Sequence, residues 1–363
     1  MDKLSFKHFF FIMCASAIVS LKTYPGIFMR DSGRDSWVAV IISGIIISIG
    51  FDYIIRIWIN RKCSSIKEVF DLGLGRFLGK MFLIIFATTL FLTMVECASV
   101  ETSVIHVNLF IESPQWYILF FILLPGLYTV KKGKSSVVVV TVFCMVVSIL
   151  NGINLYFLTY PFKKYYRLFP IFEQGINYNF LISIAKSLGL FSTLIISLVY
   201  LSQVNNTKKL RICSLIGLVF IVQMNTASTT GILSTFTVER ANLIIYPKLI
   251  QTQLISYFGF IASGEFYVIF QVLAGWFAKY VLTFFALISV LKELKIEKLV
   301  NLNVVNYCIT ALVYVFSLWA SRDLIRLFKL LNAYSYLCLV NFLIIPIVVF
   351  TVFAIRTRVK KSK

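Results

Sequence analysis

Residues 17–29 read AIVSLKTYPGIFM, and the fold turns on how this stretch is read. It begins as apolar helix and is interrupted at Tyr24-Pro25-Gly26. Pro25 has no N–H to donate, and Gly26 adds backbone freedom. At a soluble surface the interruption would simply end a helix. Here it lies inside the first of ten apolar segments, at about 9–29, 37–59, 81–104, 113–130, 136–159, 180–202, 212–233, 267–291, 302–320 and 333–355. Backbone groups freed at membrane depth persist only where protein buries them or where they line a cavity. Broken membrane helices can bind a carboxylate at a half-helix N-terminus and a cation at a C-terminal end. A plain proline kink is the alternative reading.

The composition agrees with a membrane setting. Of 363 residues, 59% are apolar and only 14% are charged. A soluble domain carries about 25% charged residues, so a soluble fold is excluded. The formal charge of +20 would otherwise suggest nucleic acid, and no nucleic-acid partner is expected. With the N-terminus placed in the cytoplasm, 21 of the 35 cations fall on that side, 10 on the other and four within spans. This bias puts both termini inside and requires an even number of spans. Ten spans leave no room for a second domain, so residues 1–363 form one integral membrane unit. No small-residue cleavage site follows the first apolar run.

The sixth span, LISIAKSLGLFSTLIISLVYL, is locally polar at Ser187, Gly189 and Ser192, with Lys186 beside them. Five spans separate it from the first. An inverted five-plus-five repeat would place its second broken helix there, with repeats at about 9–159 and 180–355. The expected fold is therefore an all-α polytopic membrane protein with ten helices, the first and sixth broken. Two loops read as structured. Residues 60–80 carry Ile66, Val69, Phe70 and Leu74 at helical spacing, as in an interfacial helix. Residues 234–266 carry Leu249, Leu254, Ile255, Phe258 and Ile261 after Tyr246-Pro247, which fits a lid-like helix or an ordinary capping loop.

Ionisable groups inside spans are costly in lipid and are site candidates by default. Lys279 is the deepest, in VLAGWFAKYVLTFFAL. Its ammonium can stand in for a coupling cation, bind a ligand carboxylate, or pair structurally with Glu101 or Glu96. Thr283 lies one turn on, on the same face. Glu96 and Glu101 are five residues apart and point about 140° from each other, so one site cannot hold both. Glu101 is preferred for the pocket or a proton role. Asp52 and Arg56, spaced i,i+4, read as a self-satisfied pair. His106 is near a span end and reads as bland. Lys22 adjoins the break. Catalytic and phosphate-binding signatures are absent, as is any metal-ligand spacing among the seven scattered cysteines and two histidines. Neither an enzyme nor a cofactor is expected.

Several stretches carry a resemblance. They are GRDSWVAVIISGII (33–46), IKEVFDLGLGRFLGK (66–80), Ser113-Pro114, FPIFEQGI (169–176) and IIYPKLIQTQLISYFGFIASGEF (244–266). Together with Pro25 they resemble the B subunits of bacterial spore germinant receptors, permease-like members of the amino acid–polyamine–organocation superfamily. The chain departs from that pattern at Gln253, at Tyr267-Val268, and at 199–201, where a proline is usual. The resemblance implies a LeuT-like five-plus-five repeat with a ligand held between the first, third, sixth and eighth helices. It also implies a nutrient sensor in the spore inner membrane, partnered by A and C subunits. On this reading a small nutrient such as an amino acid is held by Ala17, Ser20, Lys22, Thr23 and Tyr24, with Pro25 and Gly26 forming the break. Ser187, Gly189, Glu101, Lys279 and Thr283 complete the site. A proton-coupled amino acid transporter of the same fold is the rival.

Overall fold

A computed structural model describes residues 4–173, 175–204, 207–255, 264–298 and 300–359. Sixteen α-helices follow one another among them. They are α1 (Phe6–Ala17), α2 (Val19–Thr23), α3 (Gly26–Ser32), α4 (Ser36–Arg61), α5 (Ile66–Leu74), α6 (Arg76–Asn108), α7 (Gln115–Lys131) and α8 (Lys134–Leu158). There follow α9 (Tyr178–Ser192), α10 (Thr207–Thr235), α11 (Val238–Leu243), α12 (Pro247–Gln253), α13 (Glu265–Glu293), α14 (Leu302–Ser321), α15 (Leu324–Cys338) and α16 (Ile345–Val359). A 3-10 stretch, Thr193–Gln203, continues α9, and a π-helical stretch, Leu339–Ile344, joins α15 to α16. The π turn ends two residues before Pro346, whose missing N–H cannot extend a regular α ladder. No strand forms among the described residues beyond a lone bridge between Leu4 and Val204.

Among the described residues, eight helical runs are long and apolar enough to cross a membrane. The expected count of ten is not reached by that measure. The break shortens the first element to twelve residues in α1, and α7, with Pro125 inside it, has only 17. Burial separates the centre from the rim. The apolar window of 178–203 is 83% buried and that of α13 72% buried, whereas those of α8, α14 and 324–358 are 33–39% buried. The central elements pack on protein all round, while α4, α8 and α10 turn Ile49, Phe143 and Val219 outward to lipid.

The first described residue, Leu4, and the last turns of α16 lie at one face. The Leu4 amide donates to the Gln203 carbonyl, Asp52 meets Arg211 at 2.9 Å, and the Arg61 guanidinium donates to the Ala354 carbonyl. The expected Asp52–Arg56 pair forms at 2.6 Å, with Arg211 of α10 added to it. The expected interfacial helix is α5, at this face. Ile66, Val69 and Phe70 are buried, the Ser65 hydroxyl caps the helix by accepting from the Glu68 amide, and the Glu68 carboxylate accepts from the Ser64 amide. The corner into α6 depends on two glycines. Gly75 has φ +90°, and a Cβ on Gly79 would sit 2.7 Å from the Phe70 carbonyl oxygen. Gly79→Ala is therefore expected to push α5 off α6 and cost about 1–3 kcal/mol, read as a lowered unfolding midpoint in detergent.

At the opposite face Arg34 pairs with Glu173, and Asp35 accepts from the Phe172 amide, which ties the loop before α9 to the start of α4. The lid expectation corresponds to α12, where Pro247 takes the first turn and Leu249 is buried. Phe258 and Ile261 lie outside the described residues.

Candidate functional site

The first span breaks twice. Ile18 separates α1 from α2, and Tyr24-Pro25 separates α2 from α3. Pro25 cannot donate back to Leu21, and side chains bond the backbone on the α1 and α2 side of the break. The Thr193 hydroxyl donates to the Ser16 carbonyl at 2.7 Å. The Thr23 hydroxyl donates to the Val19 carbonyl at 2.8 Å and accepts from Trp276 Nε1 at 3.1 Å.

Lys279 of α13 reaches this break and is wholly buried. Its Nζ lies 2.7 Å from Glu96 Oε2 and donates to Ser20 Oγ at 2.7 Å. Ser20 in turn donates to Glu96 Oε1 at 2.8 Å, and the Tyr24 phenol donates to the same oxygen. The Lys279 ammonium also lies 5.3 Å from the Trp276 ring centre, and Trp276 stacks on Tyr24. The helix break thus grips one buried ammonium and one buried carboxylate, with the Ser20 hydroxyl bonded to both and the Tyr24 hydroxyl to the carboxylate. Thr283 is buried one turn below, its hydroxyl committed to the Lys279 carbonyl.

Glu96, not Glu101, is the acid at the break. The two point apart as the helical angle requires. Glu101 is buried, and its Oε2 has no hydrogen-bond partner among the described residues. It lines a separate cavity of about 690 Å³ between α6, α7, α8 and α13, with Cys144, Phe121 and Phe277.

Ser187 and Gly189 need a second correction. The helix runs unbroken through both, and winding changes only at Thr193. The Ser187 hydroxyl bonds the Ser183 carbonyl and lies 2.7 Å from Ser43 Oγ of α4. A Cβ on Gly189 would lie 1.9 Å from the Ser335 carbonyl oxygen of α15. Both are helix-packing positions. Ser192 and Thr193, at the real change of winding, donate to the carbonyls of Cys338 and Ser16.

Ala17 is buried at the end of α1, and a Cβ on Gly26 would meet nothing within 4 Å. Lys22 and Thr23 line a narrow cavity of about 40 Å³ with Val19, Ser148, Gln271 and Gly275. Lys186 pairs with Asp31 of α3 at 2.7 Å, a partner that sequence reasoning did not single out. Trp276 was also missed, although it lies three residues before Lys279 on the same face. Among the described residues no cluster of three His, Cys, Asp or Glu could hold a metal.

The pattern that defines a family described as spore germination protein, the spore permeases, matches residues 3–325. Spore germination protein XB of Bacillus anthracis is 23% identical over 269 residues, 74% of each chain. Among solved structures, MhsT in complex with L-phenylalanine has a TM-score of 0.67 at 12% identity, covering 97% of this chain and 90% of MhsT. A Na+-coupled sialic acid symporter, substrate-bound and outward-open, has a TM-score of 0.63 at 12% identity, covering 93% of this chain and 79% of its own. At that identity the likeness speaks for the fold, which is the LeuT-like arrangement that the resemblance implies.

Proposed function

The chain belongs to this spore permease family, a family of permeases rather than enzymes, and we propose that it is the nutrient-sensing subunit of a spore germinant receptor. The ligand is a zwitterionic amino acid taken at the Lys279–Glu96 pair. The observation that carries this reading is the pair itself, with Ser20 and Tyr24 of the break closing on it.

An amino acid brings one ammonium and one carboxylate. Its carboxylate would replace Glu96 at Lys279, and its ammonium would replace Lys279 at Glu96. Each protein charge exchanges one partner for another, so no charge is left buried and unpaired, the outcome that makes such sites costly. The ligand must also separate α6 from α13 and reshape the break at 17–24. That movement is how binding would bias a two-state bundle, because the closed pair and the ligand compete for the same atoms. Thr283 and Trp276 would border the ligand. The chain would sit in the spore inner membrane with both termini toward the core, partnered by A and C subunits. Binding would trigger germination.

Labelled amino acids should bind the purified receptor, and Ser20→Ala should weaken the best ligand about tenfold by removing a hydrogen bond to each charge. Unchanged affinity in Ser20→Ala would place the ligand elsewhere.

One observation favours the transporter reading, namely Glu101 with an unpartnered oxygen beside a cavity of about 690 Å³. In that reading Glu101 carries the coupled proton, and Glu101→Gln abolishes pH-driven amino acid uptake into proteoliposomes while leaving binding intact. No uptake by the wild-type chain would exclude it.

A further inference from the structure

Three lysines converge at the face opposite the termini, away from the Lys279–Glu96 pair. Lys22 of α2, Lys163 of the loop after α8 and Lys248 of α12 line one cavity of about 330 Å³. The cavity shares Lys22, Met224, Lys248 and Gln271 with the narrow cavity beside the break. No Asp or Glu lines either one, and none of the three lysines forms an ion pair among the described residues.

The walls keep the ammonium groups together. Lys163 lies across the bare face of Gly231 on α10, where a Cβ would stand 3.7 Å from both Lys163 Cε and Gln251 Nε2. Lys248 donates to Gln251 Oε1, and Gln251 is itself held by the Gly231 carbonyl and Thr235. Lys163 lies 4.1 Å from the Tyr156 ring centre. All three are half-buried, unlike lysines of a solvated surface. Gathering three like charges without a counter-charge is unfavourable unless a counter-ion arrives.

We propose that this vestibule binds a small soluble oxyanion bearing two or three carboxylate or phosphate charges, taken up from the face opposite the termini. Bound there, the anion would tie α12 and the loop at Lys163 to α2, two residues before Tyr24. The medium's anions would thereby act on the break through a site separate from the nutrient's. The proposal does not depend on what the Lys279–Glu96 pair binds.

Burial lowers Lys163 to about 8 and Lys248 to about 7, and Lys163 and Lys22 add repulsion at Lys248. The other titratable groups facing the two cavities are Cys14 of α1, Tyr156 of α8, Tyr165 of the following loop and Tyr246 before α12, none a carboxylate. The lysines are cationic below these values and neutral above them. Affinity for an anion that is already fully ionised should therefore fall as pH rises from about 7 to about 9.

The test is calorimetric titration of citrate, and separately inorganic phosphate, into the full chain in phosphatidylcholine nanodiscs without amino acid. Citrate should bind more tightly than phosphate. Lys22→Gln, Lys163→Gln and Lys248→Gln should each weaken it at least about tenfold, while Lys164→Gln on the exposed loop leaves it unchanged. Lys248→Gln should also raise the unfolding midpoint without citrate, because it removes a repelling charge, which separates loss of the site from loss of fold. Absence of citrate binding, or full affinity in the three variants, would overturn the proposal. So would abolition of citrate binding by added phosphatidylglycerol, which would assign the vestibule to a lipid headgroup.

Discussion

Lys279→Met is expected to abolish nutrient-triggered germination and to destabilise the chain by about 3–5 kcal/mol. The substitution leaves the Glu96 carboxylate in a site from which water is excluded, with only Ser20 and Tyr24 to answer it. Breaking one side of a buried pair costs that much because the surviving charge has lost its partner, not because the pair was strongly stabilising. The double variant Lys279→Met/Glu96→Gln removes both charges. It should recover most of the stability, since replacing a whole buried pair by neutral groups is often close to neutral. The two variants together separate two roles. A purely structural pair predicts that the double variant regains both fold and germination. A ligand-binding pair predicts that it regains the unfolding midpoint and remains unresponsive to nutrient. Thermal unfolding of the purified chain and germination of spores carrying each variant provide the two readings.

Gly189→Ala is the second large effect, and it acts through packing. The added Cβ would meet a backbone oxygen of α15 at 1.9 Å, and backbone cannot yield as a side-chain tip can. The helices must separate along the face where α9 also touches the π turn before α16. Overpacking of this kind costs about 1–3 kcal/mol, and a backbone clash belongs at or beyond the upper end. The variant should accumulate poorly in membranes and unfold early. Gly26→Ala is the matched control. Nothing lies within 4 Å of its Cβ, and alanine in a helix restricts the unfolded chain, so that variant should be neutral or slightly stabilising. Equal damage from both would show that glycine flexibility, rather than close helix approach, governs these sites.

Much of the fold is legible because membrane constraints act locally. The break at Pro25 follows from a missing donor in an apolar run. The α5 amphipathicity follows from a 3.6-residue period, and the Asp52–Arg56 pair from i,i+4 spacing. Lys279 stands out because an ammonium at that depth must have a partner. What the sequence hides is how helices rotate against each other. The angle between Glu96 and Glu101 is fixed by their own helix, but which of them faces Lys279 depends on the roll of α6 against α13. The polarity of Ser187 and Gly189 resembles a second break. Small residues also mark close helix packing, and at Gly189 the backbone of α15 occupies the space. Lys22, Lys163 and Lys248 come from three distant segments. In the sequence two of them count only toward orientation, and their convergence appears when α12 packs on α10 and α13, which brings Lys248 to the cavity that Lys22 and Lys163 line.

The most direct test of the account is equilibrium binding of each natural amino acid to the purified receptor, wild type beside Lys279→Met/Glu96→Gln. Wild type is expected to bind at least one zwitterionic amino acid, and the folded double variant none. Binding of the same amino acid by the double variant with unchanged affinity would contradict it.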